Sequence, residues 1–283
     1  MLSGNRHLLF IHFAVVLFGL SGLFAKFIAY PAVLIVLGRV FFAAIFLFFI
    51  MKSIKLSFSL TYKKDFILFF LLGLVLAIHW SSFFYSIQVS TVAIGLITFA
   101  TFPVFSVFLE PILLKERFHR KNLMFALITS IGVLLIVQEF NFKNHLFIGV
   151  IWGLLSAVTF SILSILNRKL VRGYSSIIVG FYQNCFAFIV LVPFLLFVPF
   201  HYEGKNIFLL IILGVIFTGV SHVLFIEGLK SVNVQTASII AVLEPVYGII
   251  AAIFFLAEIP TVQEVFGIVI ILSMAIYVTI KNK

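Results

Sequence analysis

The chain has 283 residues, 64% of them hydrophobic and only 10% charged, with a mean hydropathy of +1.30. Soluble domains run at about half apolar and about a quarter charged, so this composition excludes a water-soluble domain and predicts an integral membrane protein. The net charge of +10 is held in short connectors and not on one amphipathic face, which is the mark of bilayer orientation and not of nucleic-acid binding.

At about 20 residues per helical span, the length holds roughly ten spans and almost nothing else. In chain order the apolar runs predict spans at 8–30, 32–51, 66–87, 91–114, 121–138, 146–167, 176–200, 207–229, 233–256 and 261–280. Helices are the expected form, because backbone groups in hydrocarbon must satisfy one another and no barrel-type strand alternation is present. The first run is long for a signal-peptide core and no small-residue cleavage site follows it, so it is expected to be retained as a span. Cys185 is the sole cysteine, which excludes a disulfide or a paired-thiol metal site within the chain.

With the N-terminus in the cytoplasm, fifteen of the 19 Lys and Arg residues fall in inside segments and two, Lys143 and Lys205, fall outside. The remaining two, Lys26 and Arg39, lie within spans. This bias predicts a multi-pass plasma (inner) membrane protein with both termini cytoplasmic, which an even number of spans satisfies.

The stretch 98–116, TFATFPVFSVFLEPILLKE, is echoed at 240–258, IAVLEPVYGIIAAIFFLAE. Pro103 aligns with Pro245 and Glu116 with Glu258, both at an offset of 142, and Phe18 with Phe160, Lys26 with Arg168 and Phe83 with Phe225 follow the same offset. The chain therefore reads as one unit written twice. Its halves are expected at 1–138 and 146–283, with a linker at 139–145. Five spans per half is an odd number, so the second half enters the membrane inverted. Inverted repeats are typical of secondary transporters, whose central site opens to either side as the halves rock.

A first span ending in a lysine (LFAKFI), a second with an arginine (VLGRVFFA), and two hairpins ending in a glutamate (FPVFSVFLEPILLKE, LEPVYGIIAAIFFLAE) resemble the ten-span EamA group of the drug/metabolite transporter superfamily. The resemblance covers essentially the whole chain. It implies an all-α integral membrane protein of ten transmembrane helices, two inverted five-helix repeats around a central cavity. It also implies a carrier, often an exporter of amino acids or other small metabolites, and it names no substrate.

Charged and strongly polar groups at membrane depth are costly, so each is a candidate for function. Lys26 lies near the outer end of span one, where it either meets a substrate carboxylate or snorkels to headgroups. Arg39 lies within span two, suited to a bidentate carboxylate contact or an internal ion pair. His79 and Trp80 sit near the centre of span three, and His222 is the repeat counterpart of Trp80. The histidines are suited to proton transfer or to interhelical hydrogen bonds, and Trp80 to stacking on a flat substrate or to packing. Thr101 and Gln183 either bridge helices or line the cavity, and Tyr247 offers a hydroxyl. Glu244 is the sharpest candidate, mid-span and directly before Pro245, whose ring frees a backbone carbonyl. It is either a coupling or substrate-ammonium site or a protonated or paired structural residue. Its repeat counterpart is Phe102, so the site is expected to be asymmetric. Glu116 and Glu258, with Pro103 and Pro245, mark the hairpins and their ends, with pairing, capping or a gate as their expected roles.

The reading is a secondary carrier of a small polar metabolite, an amino-acid or related exporter, coupled to protons. A zwitterion needs one basic and one acidic contact, and Arg39 with Glu244 supplies both. Drug or cation efflux and metabolite uptake are the alternatives in the same superfamily. A membrane-embedded enzyme is disfavoured, because no H-E-x-x-H, paired acidic motif or thiol–imidazole pair is present. No cofactor or metal is expected, no phosphate-binding loop exists to use ATP, and the partners are the substrate, protons and the bilayer, with no nucleic acid.

Overall fold

The computed structural model describes residues 2–60, 62, 64–114, 128, 144–263, 265–270 and 273. Among them, seven helices are long and apolar enough to cross a membrane: Arg6–Phe27, Ala32–Ser53, Asp65–Val89, Val92–Leu114, His145–Val171, Ser176–Leu196 and Gly204–Gly228. These are spans one to four and six to eight. Span nine comprises two shorter helices, Val234–Ala241 and Glu244–Leu256. Span five lies outside the described residues except at 128, as does span ten beyond its first turns. The protein is an all-α membrane protein.

Local sequence explains where spans begin. Thr91, Asn144 and Ser175 each precede a span, and their side-chain oxygens accept the backbone N–H of Ile94, Leu146 and Ile178 at 2.9–3.2 Å. Such caps satisfy donors that a helix start leaves unpaired. Spans four and nine are each broken near the middle, into Val92–Phe99 and Phe102–Leu114, and into Val234–Ala241 and Glu244–Leu256. The expected prolines cause the breaks in a specific way. Pro103 and Pro245 stand in the first turn of each second segment, where a missing N–H costs nothing, so they start new helices instead of kinking old ones.

The packing repeats under exchange of the halves. Span one packs on span eight as span six packs on span three, and the second segment of span nine packs on span one as that of span four packs on span six. The match extends to residues offset by 142. Phe102, the counterpart of Glu244, gives its carbonyl to Ser161 Oγ at 2.7 Å. The counterpart of Ser161 is Gly19, and a Cβ there would lie 2.7 Å from the Glu244 carbonyl. The halves are also inverted. The end of span one is joined to the end of span three, where Lys26 Nζ donates to Ser90 O at 2.9 Å. Tyr174, just past the end of span six, instead donates to Asp65 at the start of span three.

Each face of the bundle carries ties between helices. On the first face Lys26 Nζ also lies 3.9 Å from Glu258, whose Oε2 accepts the Val92 N–H at 2.9 Å and so caps span four. Lys26 therefore has protein partners at this face and does not line the central cavity. On the second face Glu110 is buried against Arg168. Glu227 there accepts from Ser176 at 2.7 Å and from Lys230 at 2.9 Å. Glu116 lies outside the described residues.

Two measurements check this packing. Gly19→Ala forces a methyl against backbone that cannot yield, and should destabilise the protein by about 1–3 kcal/mol; Ser161→Ala should cost less, read as thermal unfolding midpoints in detergent. Glu110→Gln should cost about 3 kcal/mol or more because it strands a largely buried partner. Glu258→Gln should cost about 1 kcal/mol or less, since its pair with Lys26 is long and partly solvated.

Candidate functional site

The centre of the bundle is a layer of rings straddling the exchange axis. Phe18 and its counterpart Phe160 meet at 6.5 Å between centroids, and Trp80 and its counterpart His222 meet edge-on at 4.6 Å. Between them is a cavity of about 10 Å³ lined by Phe18, Ser21, Arg39, His79, Trp80, Phe83, Phe99, Phe160, His222 and Glu244. That volume is at the lower limit for one water, so this conformation is closed around its polar groups.

Arg39 comes from span two and is buried. Its Nε donates to Thr218 Oγ1 at 2.9 Å and its Nη2 to the Phe217 carbonyl at 3.3 Å, both on span eight. The guanidinium lies over the Trp80 ring, 3.7 Å from the centroid, with Phe84 at 5.0 Å. Such cation–π contacts contribute most where water is excluded. Nη1 has no hydrogen-bond partner among the described residues.

Glu244 is the first residue of the second helix of span nine. An anion at a helix N-terminus faces the positive end of the helix dipole, and this placement follows from Pro245 starting the helix. Its side chain is buried and forms no hydrogen bond or ion pair among the described residues. Arg39 and Glu244 line the same cavity without pairing, each within the other's field.

His79 is held from behind, with Nδ1 3.0 Å from Ser156 Oγ and 3.1 Å from the Ser156 carbonyl. His222 has Gln183 Nε2 at 3.4 Å from its Nδ1. The cavity thus joins Arg39, His79, Trp80, His222 and Glu244 from spans two, three, eight and nine.

The other expected site residues lie elsewhere. Gln183 supports His222 and does not line the cavity. Thr101 Oγ1 donates to the Thr98 carbonyl at 2.7 Å, satisfying backbone at the break in span four. Tyr247 packs beside Gly19 outside the cavity lining. Lys26, Glu258, Pro103 and Pro245 are at the face or the hairpin breaks. The Trp80 face expected to stack on a substrate is occupied by Arg39. Thr218, Ser156, Phe83 and Phe99 were not anticipated as site residues. Thr218 carried a signal, being a hydroxyl in an apolar run whose repeat counterpart is Leu76.

A larger hollow of about 490 Å³, lined by residues such as Ala77, Ile78, Tyr85, Trp152 and Phe194, has no charged lining residue. A charged solute finds no opposite charge there, so the smaller central cavity is the candidate site. Among the described residues no group of three or more His, Cys, Asp or Glu could hold a metal.

Comparison with known proteins agrees with this architecture. A solved structure described as "Crystal structure of protein" superposes with a TM-score of 0.73, covering 98% of this chain and 97% of the other at 18% identity, which shows the fold. An uncharacterized transporter YxxF of Bacillus subtilis is 24% identical over 265 residues, 92% of this chain and 85% of its own. An S-adenosylmethionine uptake transporter of Rickettsia bellii is 32% identical over 252 residues, 85% of this chain and 84% of its own. The EamA-like transporter family model matches twice, at residues 5–138 and 147–280. The chain is a membrane transporter that belongs to the EamA-like transporter family.

Proposed function

We propose that the protein is a secondary active carrier of a zwitterionic amino-acid-type metabolite, working by alternating access between halves at 1–138 and 146–283 joined by the linker at 139–145. The observation that carries this reading is the closed central cavity, where the Glu244 carboxyl group and an Arg39 guanidinium whose Nη1 has no partner among the described residues share a single space. Leaving two buried ionisable groups without partners is costly. An α-ammonium at Glu244 and an α-carboxylate at Arg39 would supply the missing partners.

A ligand pocket usually spans about 300–1,000 Å³, so substrate entry requires the halves to separate and enlarge the cavity. Rocking about the ring layer would do so on one side at a time. Glu244 would bind either the substrate ammonium or a coupling proton, with His79 and His222 beside it. The charge asymmetry of the sequence supports cytoplasmic termini in a plasma membrane.

S-adenosylmethionine is the leading specific substrate. It carries the α-ammonium and α-carboxylate of an amino acid, a sulfonium suited to aromatic faces and a flat base. Relatives from three Rickettsia species are named for its uptake, which favours inward movement over export.

The test is flux into proteoliposomes of labelled S-adenosylmethionine and an amino-acid panel, with and without an imposed pH gradient. At least one zwitterion should be moved. Arg39→Gln and Glu244→Gln should each lower its flux more than about tenfold, as removing one member of a buried charged contact does. Flux of Glu244→Gln that still follows the pH gradient would remove the coupling role. A folded wild type that moves no zwitterion would overturn the substrate class.

A further inference from the structure

We propose that Thr218, presented by a π-turn in span eight, is a positioning residue that presents one edge of Arg39 to the substrate carboxylate; this rests on the carrier reading above. Span eight is not a uniform helix. Residues Val215–Val220 form a π-helical turn between the α-helices Gly204–Gly214 and Ser221–Gly228. Such turns are rare and are frequently found at functional sites. The repeat counterpart in span three is uninterrupted α-helix, Asp65–Val89.

The wide turn sets up the Arg39 contact. Thr218 Oγ1 donates to the Leu213 carbonyl at 2.7 Å, which orients its lone pairs toward Arg39 Nε at 2.9 Å. The Phe217 carbonyl accepts from Ser221 Oγ at 2.7 Å as well as from Arg39 Nη2. Span eight sits close enough for this because Gly214 has no side chain, and a Cβ there would be 2.6 Å from Phe42 Cβ and 2.8 Å from the Arg39 carbonyl.

A guanidinium has two edges able to grip a carboxylate, one through Nε and Nη2 and one through the two terminal nitrogens. The first edge is engaged by Thr218 and Phe217, and the flat face by Trp80. What is left is the terminal edge, whose Nη1 has no partner among the described residues. The chain therefore selects an end-on grip on the carboxylate and fixes its direction before substrate arrives. Both members of the contact are absent from the other half, where Phe181 replaces Arg39 and Leu76 replaces Thr218. Symmetry is broken where a contact is made to one end of an asymmetric substrate.

The experiment compares wild type, Thr218→Val, Thr218→Ala and Thr218→Ser in proteoliposomes. The probes are S-adenosylmethionine and methionine, each paired with its decarboxylated amine. Thr218→Val keeps the side-chain shape and removes the acceptor for Arg39 Nε. KM for the carboxylate probe should rise about tenfold, the loss of one charge-assisted hydrogen bond, while KM for the amine stays the same. Thr218→Ser should restore the wild-type value, and Thr218→Ala provides the same reading if the valine variant does not fold. An unchanged KM, an equal rise for acid and amine, or failure of serine to restore would overturn the inference while transport by wild type leaves the carrier reading intact. Wild type that moves none of the probes would overturn the reading and this inference together.

Discussion

Holding a guanidinium charge at the centre of an apolar bundle is the constraint on which the rest of this structure depends. An unscreened charge at the bilayer midplane costs several kcal/mol even by the mildest scales. Arg39 is made tolerable by two hydrogen bonds to span eight and the face of Trp80, within the field of Glu244. Each contribution comes from a different span, so the charge cannot be stabilised until those spans have assembled. The site and the tertiary fold are therefore one cooperative object, and the broken span nine contributes by delivering a carboxylate at a helix start.

The two halves share a backbone plan but not a chemistry. At the hairpin break one half has Phe102 and the other Glu244; at the centre one has Trp80 and the other His222. The exchange axis passes through the ring layer, so both members of each central pair meet. The duplicated plan thus places equivalent positions face to face, and the few that differ make the centre of the bundle asymmetric.

Much of this was legible in the chain. Composition identified the membrane, the 142-residue offset anticipated the matched packing of spans one and six, and the cost of burying charge singled out Arg39, His79, His222 and Glu244, which the fold gathers. Trp80 was anticipated, and its face meets Arg39. Depth alone left Thr101 and Lys26 with open alternatives, because depth does not reveal whether a backbone carbonyl or an opposite charge waits nearby. Glu110 finds Arg168 and Lys26 finds Ser90, partners 58 and 64 residues away. The π-turn left no compositional trace, because it arises from the fit of span eight against span two, and only the lone hydroxyl of Thr218 hinted at it.

The matched contacts at the two hairpins differ in kind. Where Gly19 meets Gly248, backbone lies directly against backbone, and a Cβ on Gly248 would be 2.8 Å from the Gly19 carbonyl. At the equivalent place Ser161 bonds the Phe102 carbonyl and Ser106, and Ser238 reaches Ser106 at 3.3 Å. One seam is bare backbone contact and the other a chain of three hydroxyls, so a plan written twice is held together unequally on its two sides.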